Sequence, residues 1–129
     1  MRAALALGAA LTGPAAAESP MTGAEFQAYV GIDTLTYGYS DGTVGQAEYG
    51  PERTVRWQYD GEATCTDGRW EQDGDLLCFK FEDKDWPVCW RFVLTAGGLH
   101  GTGAGRMDGF RIFQINRSNR PLACAGAGA

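Results

Sequence analysis

Leu76-Leu77-Cys78-Phe79-Lys80-Phe81-Glu82-Asp83-Lys84-Asp85-Trp86-Pro87-Val88-Cys89-Trp90-Arg91-Phe92-Val93-Leu94 is the stretch that decides the fold. Leu77, Phe79 and Phe81 alternate with Cys78, Lys80 and Glu82. Beyond a charged connection, Val88, Trp90, Phe92 and Leu94 alternate with Cys89 and Arg91. A period of two belongs to a strand with one dry and one wet face. Two such runs joined by a short polar segment predict an antiparallel hairpin. A turn centred on Asp83-Lys84 sets Phe79 opposite Val88, Phe81 opposite Trp86, and Cys78 opposite Cys89. Pro87 opposes this register because it donates no ladder hydrogen bond, and a wider loop from Asp83 to Pro87 would shift it.

The facing cysteines have the right parity for a bridge if they form a non-hydrogen-bonded pair, where Cα atoms come closest. Four cysteines allow three pairings. Strand parity favours Cys78 with Cys89, which leaves Cys65 for Cys124 near the chain end. Neither spacing in the hairpin region gives a Cys-x-x-Cys pair and His100 is the only histidine, so structural disulfides are expected rather than a zinc site.

Working outward, Asp-Gly recurs at Asp41-Gly42, Asp60-Gly61, Asp67-Gly68, Asp73-Gly74 and Asp108-Gly109. The dipeptide tolerates the positive φ of a type I′ turn, so these sites read as hairpin punctuation. Strands are expected over 34–39, 43–49, 54–59, 63–66, 69–72, 76–82, 88–95 and 109–116. Thr22 and Glu25 have capping-box spacing ahead of Phe26, Tyr29 and Val30, with Gly31 to end a short helix that plugs one end of a β core. The glycine-dense run 97–106 reads as a flexible loop carrying a solvated His100. The fold class is therefore mainly β: one small antiparallel β-barrel or two-sheet sandwich of about eight strands with a short N-terminal helix.

Met1-Arg2, the apolar run Ala3 to Gly13, and Pro14 with Ala15-Ala16-Ala17 have the order of a secretory signal, with cleavage expected before Glu18. Of 129 residues, removal of 17 leaves 112, an expected single disulfide-stapled domain over 18–129. The leader takes one cation, Arg2, from 11 basic residues and none of the 16 acidic ones, so the net charge moves from −5 to −6. Such a balance opposes nucleic-acid binding. The apolar run is too short to span a bilayer, and a periplasmic or secreted location is expected. Composition sets no oligomeric state.

No Gly-x-Ser-x-Gly nucleophile motif occurs, and the serines lack a base partner. Turn carboxylates, Asp73 with Asp75 and Glu82-Asp83 with Asp85, allow an acid–base pair by composition but read better as strand punctuation. They also lack the ordered oxygen ladder of an EF-hand. No catalytic residue, cofactor or metal ligand is assigned. Trp57, Trp70 and Trp90 fall on interior faces. Trp86 lies among charges, and with Asp83, Lys84 and Asp85 it is the candidate contact with a protein partner.

Gly68-Arg69-Trp70, then Leu77-Cys78-Phe79-Lys80-Phe81, then Cys89-Trp90-Arg91-Phe92 resemble a pattern in small exported proteins of alphaproteobacteria, Gly-x-Trp, Leu-Cys-Phe-x-aromatic, Cys-Trp. The likeness runs from Thr22 to Cys124 and implies export without implying an activity. A looser likeness in size and β content is to periplasmic inhibitors of lysozyme or of secreted proteases. The expectation is a non-catalytic, inhibitor-like module that recognises a protein or envelope component. The alternatives are a small hydrolase using turn carboxylates or a barrel carrying a small apolar ligand.

Overall fold

A computed structural model describes residues 19–125. The expected leader, 1–17, lies outside them. Eight strands follow one short helix: α1 Gly23–Val30, β1 Thr34–Tyr39, β2 Val44–Tyr49, β3 Thr54–Tyr59, β4 Thr66–Asp73, β5 Leu76–Phe81, β6 Val88–Thr95, β7 Gly98–Ala104 and β8 Arg111–Ser118. Each strand pairs antiparallel with its sequence neighbour, and β8 returns to β1 through pairs such as Thr34 with Ser118 and Tyr39 with Ile112. Closure leaves no free sheet edge, and it resolves the choice between barrel and sandwich.

The deciding hairpin pairs as its alternation requires. Leu77 faces Trp90, Cys78 faces Cys89, and Phe79 faces Val88. Pairing stops there, so Phe81 does not meet Trp86 across the ladder; Pro87 ends it and residues 82–87 form a wider loop. Both disulfides form, Cys78–Cys89 with Cα atoms 4.0 Å apart and Cys65–Cys124 with Cα atoms 5.5 Å apart. Two bridges point to an oxidising compartment outside the cytosol. The second bridge anchors a tail that climbs the outer wall. The Thr34 hydroxyl donates to the Arg120 carbonyl at 2.7 Å, the Leu122 amide donates to Glu48 at 2.9 Å, and the Gln58 side chain donates to the Ala123 carbonyl at 3.0 Å.

Several expectations are corrected. The run 97–106 is not a loop: it supplies β7, with Leu99, Gly101 and Gly103 buried. A Cβ at Gly101 would lie 2.7 Å from Ile112 Cγ2 and 2.9 Å from the Phe92 ring, and one at Gly103 only 1.9 Å from the Met107 carbonyl oxygen. The glycines are there because neighbouring groups occupy the space of their side chains. His100 consequently sits half-buried in a strand. Residues 63–66 and 69–72 are not two strands; Thr66–Asp73 is continuous, and Asp67-Gly68 lies within it. The other four Asp-Gly pairs do turn the chain, with φ between +60° and +92° at the glycine. The aspartates keep negative φ, so the turns are not type I′. At Asp108 (φ −56°, ψ 133°) and Gly109 (φ 92°) the angles are those of type II. Leu94, expected inside, is 47% exposed. Trp90 is the last β6 residue paired with β5, so Leu94 has a neighbouring strand on the β7 side alone, where it pairs with Leu99.

The capping box forms: the Glu25 amide donates to the Thr22 hydroxyl at 3.1 Å and the Thr22 amide to the Glu25 carboxylate at 2.9 Å. Helix α1 buries Phe26 and Val30 in the barrel end where β1, β3, β5 and β7 begin. Phe26, wholly buried, meets Tyr49, Trp70, Phe79 and Phe92 with ring centroids 5.0–6.2 Å apart. Arg117 fastens the helix from outside. It pairs with Asp33 at 2.8 Å, donates to the Tyr29 carbonyl, and lies 4.7 Å over the Tyr29 ring. On the other flank Arg53 covers Trp70 at 4.7 Å and donates to Gln27. Glu52 and Arg53 hold φ of 56° and 62°, unusual for residues with side chains, where the chain arches over the helix. No helix among the described residues is long and apolar enough to cross a membrane.

Candidate functional site

The far end of the barrel, where β1, β3, β5 and β7 finish, has no α-helix in it, only a single 3-10 turn at Gly105–Met107 in one connection. Strand polarity places the connections 40–43, 60–65, 82–87 and 105–110 together around this mouth. Inside lies a cavity of about 180 Å³. An apolar cavity of about 150 Å³ accommodates benzene, so the space suits a group slightly larger than one ring.

The inward positions of successive strands build its wall. Tyr37 and Tyr39 come from β1, Ala47 and Tyr49 from β2, Trp57 and Tyr59 from β3, Phe79 and Phe81 from β5, and Trp90 and Phe92 from β6. Small residues on one strand make room for large ones on the next. A Cβ on Gly45 would fall 2.1 Å from the Trp57 ring, so the indole lies over β2. Ala47, which pairs with Trp57, leaves the centre of that wall open. The rings hold one another mainly edge to face, Tyr39 to Trp90 at 5.7 Å, Trp57 to Tyr59 at 5.5 Å, and Tyr39 to Trp57 at 6.1 Å. Such pairings fix ring orientation as well as burying area.

Polarity deep inside is phenolic, while Thr66, Asp83 and Lys84 line the space at the mouth. The Tyr37 and Tyr49 hydroxyls are 2.9 Å apart, at the floor of the cavity. Burial holds Tyr37 well above the usual phenol range, and the neighbouring Tyr49 adds to it. Tyr49 is raised by burial, and Tyr39 by burial and then by Tyr59. These groups are neutral hydroxyls throughout the physiological range. The Trp57 Nε1 is sealed from solvent and has no hydrogen-bond partner within the protein, and a buried donor left so costs about 1–3 kcal/mol.

At the mouth, Trp86 and Met107 close over the cavity from two connections. Trp86 is half-buried, packed against the core, and Arg106 lies 5.1 Å over its ring. Trp86 lies among charges in the sequence, yet in the barrel its indole turns inward. Asp83, Lys84 and Asp85 stay at the rim, with the Lys84 ammonium 3.4 Å from the Asp83 carboxylate. The four connections carry Asp41, Asp60, Glu62, Glu82, Asp83, Asp85 and Asp108 against Lys84 and Arg106 alone, so the mouth is acidic. The Asp41 carboxyl is held below the usual range by the Thr43 amide and hydroxyl.

The turn carboxylates do not converge. Asp73 and Asp75 flank the β4–β5 turn at the helix end, while Glu82, Asp83 and Asp85 belong to the mouth. No cluster of three or more histidine, cysteine or carboxylate groups among the described residues is placed to hold a metal ion. Parity located most of the aromatic residues of the wall but read them as core filling. Known protein families, curated proteins and solved structures provide no match to the chain.

Proposed function

We propose that the protein is a non-catalytic periplasmic or secreted barrel that holds a small ligand inside its open end. The observation that carries this is the asymmetry of the interior: a wholly buried Phe26 fills one end, whereas a ring-lined cavity of about 180 Å³ occupies the other. Ligand sites favour concave, mostly apolar spaces with a few placed polar groups, and the mouths of β-barrels supply them. Recognition of a protein through Asp83, Lys84, Asp85 and Trp86 is less well supported, because Trp86 is engaged with the cavity and with Arg106. Hydrolysis is supported least, since Asp73 with Asp75 and Glu82-Asp83 with Asp85 are all solvent-exposed turn acids.

Native mass spectrometry of freshly purified protein, combined with tryptophan emission under titration with small ring compounds and short-chain amines, tests the proposal. A co-purified small mass, or saturable change in emission, is expected. Ala47→Leu, which fills the wall centre, should abolish either signal while leaving the circular dichroism intact. An empty protein whose emission responds to none of these probes would overturn the reading.

A further inference from the structure

The cavity's chemistry narrows its occupant. Resting on the binding proposal above, we propose that the ligand class is a small quaternary ammonium compound, an organic cation without N–H groups.

Three features converge on this. First, the wall presents the rings of Tyr39, Trp57, Tyr59, Trp86 and Trp90 around one space. Aromatic faces carry negative quadrupole potential and attract a cation within about 6 Å, most strongly when water is excluded. Second, the hydrogen-bonding groups deep in the wall are neutral phenols, and two of them, Tyr37 and Tyr49, bond each other at 2.9 Å, whereas Thr66 and the mutually paired Asp83 and Lys84 line the space at its mouth. A primary ammonium brings three donors that each need an acceptor, and losing its strong hydration against so few acceptors would be costly. A methylated ammonium has no donors to satisfy and carries its charge on an apolar shell of methyl groups. Its head, close to a benzene ring in bulk, fits the volume.

Third, the mouth discriminates by sign. Seven carboxylates in four connections face two basic side chains, one of which, Lys84, is already paired with Asp83. A cleft lined by one sign and walled by low-dielectric material concentrates ligands of the opposite sign and repels anions. The other cation, Arg106, lies on Trp86 at 5.1 Å and shows that this indole already accepts positive charge on its face.

Calorimetric or tryptophan-emission titration with tetramethylammonium, choline and 3,3-dimethyl-1-butanol tests the inference, because the last is the neutral carbon isostere of choline. Choline should bind at least tenfold more tightly than the isostere, a difference of the size expected of a desolvated cation over aromatic faces. Added sodium chloride should weaken choline and leave the isostere unchanged, and Asp41→Asn combined with Asp60→Asn should weaken choline several-fold. Equal or tighter binding of the isostere would overturn the charge preference while leaving the cavity proposal standing. Failure of all three probes, with other small ligands still bound, also rejects the quaternary ammonium assignment. If no small probe of any charge binds and the purified protein is empty, both proposals fall.

Discussion

The two ends of the barrel are built from the same strands and the same residue types, yet one is solid and the other hollow. At the solid end, α1 lowers Phe26 and Val30 among rings contributed by β2, β4, β5 and β6, and Arg53 and Arg117 stack on its flanks. At the hollow end Trp86 and Met107 arrive on loops, and the rings leave space between them. An eight-stranded barrel is just wide enough for side chains to fill its interior or to hold one small ligand. Here one barrel does both, and a single helix makes the difference.

The largest expected effect concerns the phenols between these ends. Tyr37, Tyr39 and Tyr49 are raised above the ordinary phenol value of 10 by burial, so the folded chain keeps protons that the unfolded chain releases. Their contribution is complete below pH 10 and is lost as pH rises from there through the folded values. Each such group withdraws about 1.4 kcal/mol per pH unit above 10, and three together about 4 kcal/mol. A domain with about 5–15 kcal/mol of stability then unfolds within a few units. Phenolate absorbance and circular dichroism followed together should change in one step. Early ionisation of these three phenols in a folded chain would mean that the hollow end is wet.

Phe26→Ala comes next. The ring is fully buried and contacts four others, so its loss should cost toward the upper end of the 3–5 kcal/mol typical of such truncations, read as a shift in denaturant midpoint. A smaller cost with unchanged m-value would show the plug to be loosely seated. The covalent counterpart at the hollow end is Cys65–Cys124, whose linked positions lie 59 apart in the sequence. Replacing both by alanine should cost about 4 kcal/mol in the chain-entropy picture. Hydrogen exchange should rise first at Ala125, whose amide donates to the Ala63 carbonyl at 2.7 Å, and leave α1 protected. Equal loosening at the helix would deny that the two ends are held independently.

How far this contrast was legible in the sequence depended on which physical effect carried it. Alternation in Leu76 to Leu94 gave the central register because a one-residue slip would turn every ring to water. The capping box gave α1 because its two hydrogen bonds are local. Strand β7 was missed, since Gly101 and Gly103 show only that side chains are absent, and the Phe92 ring and Met107 backbone that take their place come from elsewhere in the chain. The cavity was illegible for a related reason. Parity says that Tyr39, Trp57 and Trp90 point inward, but whether inward rings meet or leave a gap depends on the helix entering from one end only. The direction of Trp86 was not legible from its charged neighbours, because a loop residue's direction follows the course of the loop, here widened by Pro87.

The smallest effect on stability belongs to Trp86→Ala, which sharpens the comparison most. The indole is half-buried on a connection, and its best-defined contact is with Arg106 at 5.1 Å. A partly exposed pairing of this kind is worth about 0.5–1 kcal/mol, so the unfolding midpoint should scarcely move, in contrast to Phe26→Ala. Ligand kinetics should respond far more. With the indole gone the mouth widens, and dissociation should accelerate about tenfold, because changes at a binding surface act mainly on the off-rate. Arg106→Gln, which keeps the ring and removes one of the two cations at the mouth, should by contrast leave a cationic ligand bound at least as tightly. A Trp86→Ala variant that loses several kcal/mol and binds as before would place Trp86 in the core with Phe26, and the hollow end would then be a packing defect that the rest of the barrel tolerates.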